Sequence, residues 1–191
     1  MPKISKPTVA EHRSAQRAAL LSAAEALLLE GGVAGVNPRT VGERAGLARS
    51  SFYDYFPSKD DLLAAVAMRA FDEWGAEIDE ALRGTEPGID RLTAYVAATM
   101  RMTADGRHAI AAELRGEELS PSKQEDIKAL HDALLEPVRT VLEDLGVPDA
   151  AAQAYLVQGL LNTGVQLVTH GMSADDVTAK VMALLTRGLL A

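Results

Sequence analysis

Apolar residues recur along this chain at spacings of three and four, and glycines, prolines and capping residues break the recurrence into about nine segments. The pattern predicts a first helix from about Glu11 to Glu30, with Leu20, Ala24, Leu27 and Leu28 on one face and Gly31 and Gly32 as its stop. Asn37 is a good N-cap and Pro38 suits a first helical position, so a short second helix starts there. It carries Val41 and Ala45 and ends at Gly46, with Leu47 after the turn. A third short helix covers about Arg49 to Tyr55. Ser58 to Asp61 forms a capping-box-like start for a long fourth helix, about Lys59 to Leu82, whose stripe runs through Leu63, Val66, Ala67, Ala70, Phe71, Trp74 and Ile78. After the break at Gly84 to Gly88, Ile89, Leu92, Tyr95, Val96 and Met100 mark a fifth, ended or bent at Asp105 and Gly106.

A short sixth helix is expected at about Arg107 to Arg115, followed by a polar loop from Gly116 to Ser120. Pro121 or Lys123 opens the seventh, with Ser120 or Ser122 as its cap, and its stripe is Ile127, Leu130, Leu134, Val138, Val141 and Leu145. Pro137 lies inside it and should kink it. The eighth runs from about Asp149 to His170, and Ser173 to Asp176 caps a ninth with Val177, Val181, Leu184, Leu185 and Leu189 inward. The fold class is all-α.

The stretch from Asn37 to Leu63 is more specific than the rest. Two short helices joined by a tight glycine turn read as a helix-turn-helix. Half of the chain's eight aromatic residues fall between 52 and 56. Phe52 and Phe56 are one turn apart and can enter the core together. Ser50, Ser51, Tyr53 and Asp54 then lie on the opposite face or its shoulders, with Arg49 at the start. Such a small, polar surface suits hydrogen bonding to base edges and phosphates in a DNA major groove.

Composition changes this picture little, but charge refines it. The 191 residues are 48 % hydrophobic, and Ala and Leu predominate over β-branched residues, which favours helix. The net charge of −8 is unevenly divided. Residues 1–59 hold eight basic and five acidic side chains, the remainder eleven and twenty-two. A mildly basic head on an acidic body fits local attraction to phosphate with repulsion elsewhere. There is no cysteine, and the start of the chain has basic residues but no apolar run, so a cytoplasmic location is expected. Later apolar stretches are interrupted by polar residues, and no membrane span is expected.

Val41 and Gly42, Ala45 to Leu47, Phe52 and Tyr53, Tyr55 and Phe56, Ser58 and Lys59, and Leu62 and Leu63 together resemble the DNA-binding domain of TetR-family transcriptional regulators. The resemblance implies a homodimeric, ligand-responsive repressor that binds a palindromic double-stranded DNA operator. Pro2, Pro7, Lys3 and Lys6 mark residues 1–10 as a mobile arm, followed by a three-helix DNA-binding domain at 11–58 and a helical ligand-binding and dimerisation domain at 59–191. Carried over by position, Arg39 with Thr40 would approach DNA from the second helix. Arg49, Ser50, Ser51 and Tyr53 would face bases and nearby phosphates, and Tyr55 and Lys59 would grip the backbone. Two residues depart from the family pattern. Ala48 stands where Ser is usual, removing a cap worth roughly 1 kcal/mol, and Gly42 replaces Ala at a cost of up to about 1 kcal/mol. Both imply a domain that firms up on DNA.

The last two helices carry more apolar surface than one packing face needs, so they are buried in the monomer or shared with a second copy. Under the resemblance they form a four-helix dimer interface, which places Leu156, Leu160, Val181 and Leu185 there. Trp74, Tyr95, Met100, Met102, His108, Gln158, Asn162 and Gln166 lie on helices that would surround a cavity for a hydrophobic or amphipathic effector. No zinc-protease, nucleophile-elbow, P-loop or dinucleotide pattern is present, and the four histidines are scattered. No catalytic residue, metal or cofactor is therefore expected. The alternatives are a constitutive DNA-binding protein with a closed body and, less favoured, a helical enzyme.

Overall fold

The computed structural model describes residues 8–106, 109–114 and 121–189. Among these the chain is all-α. The segments are α1 (Val9–Gly35), α2 (Pro38–Ala45), α3 (Arg49–Phe52), α4 (Lys59–Leu82), α5 (Ile89–Ala104), α6 (Ala109–Leu114), α7 (Pro121–Asp144), α8 (Ala150–Thr169) and α9 (Ala174–Leu189). They fall into two compact units, Met1–Arg69 with Ile110–Gln124, and Ala70–Ala109 with Glu125–Ala191. The division falls within α4 rather than at residue 58, because Leu62, Leu63, Val66 and Ala67 are buried in the first unit.

In the first unit, α1 starts two residues inside the expected arm. The Thr8 hydroxyl accepts from the Glu11 amide at 3.2 Å, and the Glu11 carboxylate accepts from the Thr8 amide at 2.6 Å. This reciprocal cap leaves fewer free N–H groups at the helix start and holds the Glu11 carboxyl below its ordinary range. The remaining arm residues, 1–7, lie outside the described residues. The helix is interrupted where expected: Gly31 has a non-helical backbone and Gly32 has φ 63° and ψ −170°, after which one further turn reaches Gly35. By length and composition α1 is the one described helix apolar enough to cross a membrane. Its Leu20, Leu21, Ala23, Ala24 and Leu28 are buried, so core packing accounts for that hydropathy.

The third helix is shorter than its pattern suggested. α3 ends at Phe52, and residues 53–55 continue as turns in which the Tyr55 and Phe56 amides both donate to the Phe52 carbonyl at 3.0 Å. Ala48 gives it no side-chain cap, and Pro57 disfavours a helical backbone at Phe56, so neither end supports extension. α4 opens with the Asp61 amide on the Ser58 hydroxyl at 3.1 Å. Arg69 then ties α4 to α1, with Nε donating to Glu25 at 2.6 Å and a terminal nitrogen to the same carboxylate and to Ser22.

In the second unit α5 packs against α8 and α9, which also pack on each other. Tyr95, Val96, Met100, Val157, Leu161, Val165, Val177, Val181 and Leu185 belong to one buried cluster. A Cβ on Gly164 would lie 3.0 Å from Met100 Cε and 3.2 Å from Val177 Cγ1, so this glycine serves close approach inside the chain. Val181 and Leu185, expected at a dimer interface, are each 4 % exposed and belong to this core. Residues 177, 181 and 185 share one face of α9, whereas Leu184, expected inward, is rotated off it and 61 % exposed. α9 is capped as expected, the Asp176 amide meeting the Ser173 hydroxyl at 3.1 Å. α7 opens at Pro121 and carries Pro137 within it. The flanks expected for α6, and the loop to Ser120, lie outside the described residues.

Candidate nucleic-acid interface

Asn37 fixes the start of the helix-turn-helix. Its side chain accepts from the Arg39 and Thr40 amides, each at 3.1 Å, and Pro38 occupies the first turn, where its missing N–H loses nothing. α2 ends at Gly46, whose φ of 70° suits a residue without Cβ. The turn closes tightly: the Leu47 amide donates to the Gly42 carbonyl at 2.9 Å, and a Cβ on Gly42 would lie 3.1 Å from the Leu47 oxygen. Gly42 therefore lets the turn lie close on α2, which offsets part of its cost to the helix.

Two rings anchor α3 from below. Phe52 and Phe56 are both buried, with centroids 5.9 Å apart. Tyr53 meets Phe52 edge to face at 5.3 Å and is itself 49 % exposed. Ser50 and Asp54 are exposed and Ser51 is half-buried. The Arg49 side chain lies outside those described.

Of the cations expected to face DNA, Arg39 and Lys59 are engaged within the unit, as is the neighbouring Arg44. Arg39 is exposed, but its Nε donates to Glu43 at 2.8 Å, which raises the guanidinium pKa. Arg44 donates to Glu30 at 2.8 Å, and this bond holds the Glu30 carboxyl below its usual range. Both pairs are solvent-exposed and held weakly. The Thr40 hydroxyl accepts from the Asn37 amide at 3.2 Å and donates to the Gly35 carbonyl at 2.9 Å, so it belongs to the α2 cap. Tyr55 Oη donates to Gln16 at 2.5 Å, and Lys59 Nζ to the Val33 carbonyl at 2.8 Å. The polar atoms of these three residues thus serve the fold of the unit. Two cations of α1 were missed. Arg13 lies 5.2 Å over the Tyr55 ring and donates to the Asp54 carbonyl at 2.8 Å, and Arg17 lies 5.2 Å over the Phe56 ring. Their i, i+4 spacing on the polar side of α1 was the available signal.

In the second unit the expected ligand residues are not gathered around one cavity. Trp74 and Met102 line a groove of about 480 Å³ with Ala70, Ala76, Glu73, Glu77 and Glu80. Tyr95 and Met100 are buried core instead, and burial pushes the Tyr95 phenol up to about 12. Gln158 donates to Asn162 at 3.1 Å along α8, and Gln166 is exposed. These departures share a cause: helical spacing assigns a face but not what covers it. His108 lies outside the described residues. Tyr155, Leu156 and Leu167 on α8 and Leu184 on α9 are exposed, and Leu160 is half-buried. No group of three potential metal ligands occurs among the described residues.

Residues 20–66 match the family described as bacterial regulatory proteins, tetR family. Over 91 residues the chain is 38 % identical to the HTH-type transcriptional repressor KstR of Mycolicibacterium smegmatis, covering 48 % of this chain and 45 % of that one. It is 33 % identical over 86 residues to the HTH-type transcriptional activator FasR of the same organism, covering 45 % and 39 %. The chain thus spans less than half the length of the curated relatives it matches. The fold extends further: the regulator FadR from Bacillus subtilis, solved with stearoyl-CoA, superposes with a TM-score of 0.76 at 18 % identity, over 90 % of this chain and 98 % of that one. The helix-turn-helix, the match of residues 20–66 over it and the shared all-helical fold agree, and it is this N-terminal segment that is similar to the TetR family of bacterial regulatory proteins.

Proposed function

We propose that this protein is a cytoplasmic, sequence-specific transcriptional repressor that binds a palindromic operator as a two-fold dimer and leaves it when a small ligand binds. The observation that carries the reading is α3, held by the buried Phe52 and Phe56 while Ser50 and Tyr53 remain outward beside the three-residue turn from α2. A helix so presented enters a major groove and reads base edges with short polar side chains. Arg39 and Arg49 supply charge on the same motif, and Lys59 keeps further N–H donors for phosphate beside its internal bond.

Dimerisation is supported by Leu156 and Leu167 of α8 and Leu184 of α9, large apolar residues that are exposed. A two-fold axis along these helices would bury them against their own copies. The effector reading rests on the groove beside Trp74 and Met102, whose floor is apolar. Its rim carries Glu73, Glu77 and Glu80, the last paired with Arg83. Such a rim repels the phosphates of an acyl-CoA and favours an amphipathic ligand with a neutral or cationic head. Lys59 and Trp74 both lie on α4, so the helix is the element through which a displacement at the groove would be passed on. The constitutive alternative is favoured by one observation, the filled core around Tyr95 and Met100 where a central cavity was expected.

Selection of duplexes from a random pool by the full chain tests the reading. Recovery of a two-fold symmetric site bound by two copies supports it. No enrichment over the starting pool would overturn it.

A further inference from the structure

The contacts of α1 reach three consecutive residues shortly after α3. Arg13 donates to the Asp54 carbonyl, Gln16 accepts from Tyr55 at 2.5 Å, and Arg17 lies over Phe56. Residues 13, 16 and 17 share one helical face, so this is a continuous seam. Both arginines are exposed, and neither meets a carboxylate among the described residues, unlike Arg39, Arg44 and Arg69. Both also precede the segment that matches the family, residues 20–66.

The bond from Arg13 fixes where its charge sits. Asp54 follows Tyr53 in the chain, and both are exposed, so the guanidinium lies beside the outer side of the turn that ends α3. A guanidinium carries five N–H donors, and one is used here. The ring of Tyr55 beneath it restricts the side chain further, at 5.2 Å from centroid to Cζ. An arginine held this way is pre-organised for a phosphate oxygen, which needs a planar donor pair and little loss of side-chain freedom. The seam thus joins reading and holding: the residues that brace α3 also carry charge at its edge.

We infer that Arg13 and Arg17 of α1 form a second phosphate-contact edge outside the helix-turn-helix, seated on Tyr55 and Phe56 and placed by the Asp54 carbonyl; this rests on the DNA-binding reading above. The contact carries no sequence information and acts through charge, so it releases counterions from any duplex alike. Asp54, whose carbonyl accepts from Arg13, is itself an exposed acidic residue.

The test uses the full chain, a duplex recovered by selection against wild type, and a scrambled duplex of equal composition. Binding is measured at several salt concentrations. Arg13→Gln is expected to reduce the steepness of log K against log salt by about 0.9 per bound head on both duplexes, and Arg17→Gln to add a further decrease. Arg13→Lys, which keeps the charge, should restore most of the slope. Gln16→Leu serves as a control for bracing, since it removes the bond from Tyr55 and leaves both arginines in place; it should lower the melting temperature and leave the slope unchanged. If Arg13→Gln and Arg17→Gln lower the melting temperature with an unchanged slope, the arginines are struts and the inference is overturned. A wild type that binds neither duplex overturns the DNA-binding reading itself, and this inference with it.

Discussion

Lys59, the first residue of α4, donates from Nζ to the carbonyl of Val33 at 2.8 Å, tying the start of one long helix to the last turn of another. The same carbonyl also accepts from the Val36 amide at 3.2 Å. Lys59→Met keeps most of the stem and removes the donor. Loss of a bond from a charged, half-buried group is expected to cost about 1–2 kcal/mol, read as a lower melting temperature in the absence of DNA. A lysine serving phosphate alone would leave that melting temperature unmoved.

Arg39 and Glu43 form an exposed i, i+4 pair at 2.8 Å. The carboxylate competes with phosphate for the same guanidinium. Glu43→Gln should therefore strengthen binding to any duplex severalfold at low salt and steepen the salt dependence by about one unit per head. Affinity equal to wild type across the salt series would mean that Arg39 stays off the DNA.

Leu156 is 68 % exposed on α8, and Leu184 is exposed on α9. Replacing both with Glu should give a folded monomer by sedimentation, with wild-type helical content and weakened binding to a two-fold site. Leu185→Glu should instead unfold the second unit, because that side chain is core. A double variant that remains dimeric would place the interface elsewhere.

Trp74 is the only tryptophan of the chain, so its fluorescence reports on the groove alone. Dodecyltrimethylammonium below its micelle concentration should change the emission saturably and weaken duplex binding, and the duplex should weaken the amphiphile by the same factor. Stearoyl-CoA at equal concentration should do neither. The opposite order of response would reject the assignment of the acidic rim to ligand choice.

Burial raises the Tyr95 phenol from 10 to about 12, so the native state favours the neutral form. Between these values the unfolded chain has released the proton and the native chain has kept it, and stability falls as pH rises. The loss should reach about 2–3 kcal/mol by pH 12, and all of it is retained below pH 10. Urea titrations from pH 9 to 11.5 should show this decline in wild type and a smaller one in Tyr95→Phe.

Local chemistry was readable in the sequence where the partners are close along the chain. Asn37 with Pro38, Ser58 with Asp61, and Ser173 with Asp176 each made the cap their spacing implied. The burial of Phe52 and Phe56 followed from their period. What failed was distant in sequence. Tyr55 finds Gln16, and Lys59 finds Val33, across 39 and 26 residues, and no local pattern encodes either pairing. Val181 and Leu185 show the other limit: an apolar stripe looks the same whether the chain covers it or a second copy does. The short α3 accords with Pro57, which disfavours a helical backbone at Phe56 and which the aromatic spacing does not reveal.

Gly32, with φ 63° and ψ −170°, occupies backbone space that is essentially closed to every other residue, and a Cβ there would lie 3.3 Å from the Glu113 carboxylate. The direction in which the chain leaves α1 for the helix-turn-helix therefore depends on a position with no neutral neighbours in sequence space. An exposed residue of α3 such as Ser50 carries no such backbone constraint, whereas Gly32 does. Under the proposed function, what is read can vary with α3, and the angle of reading is held by one glycine.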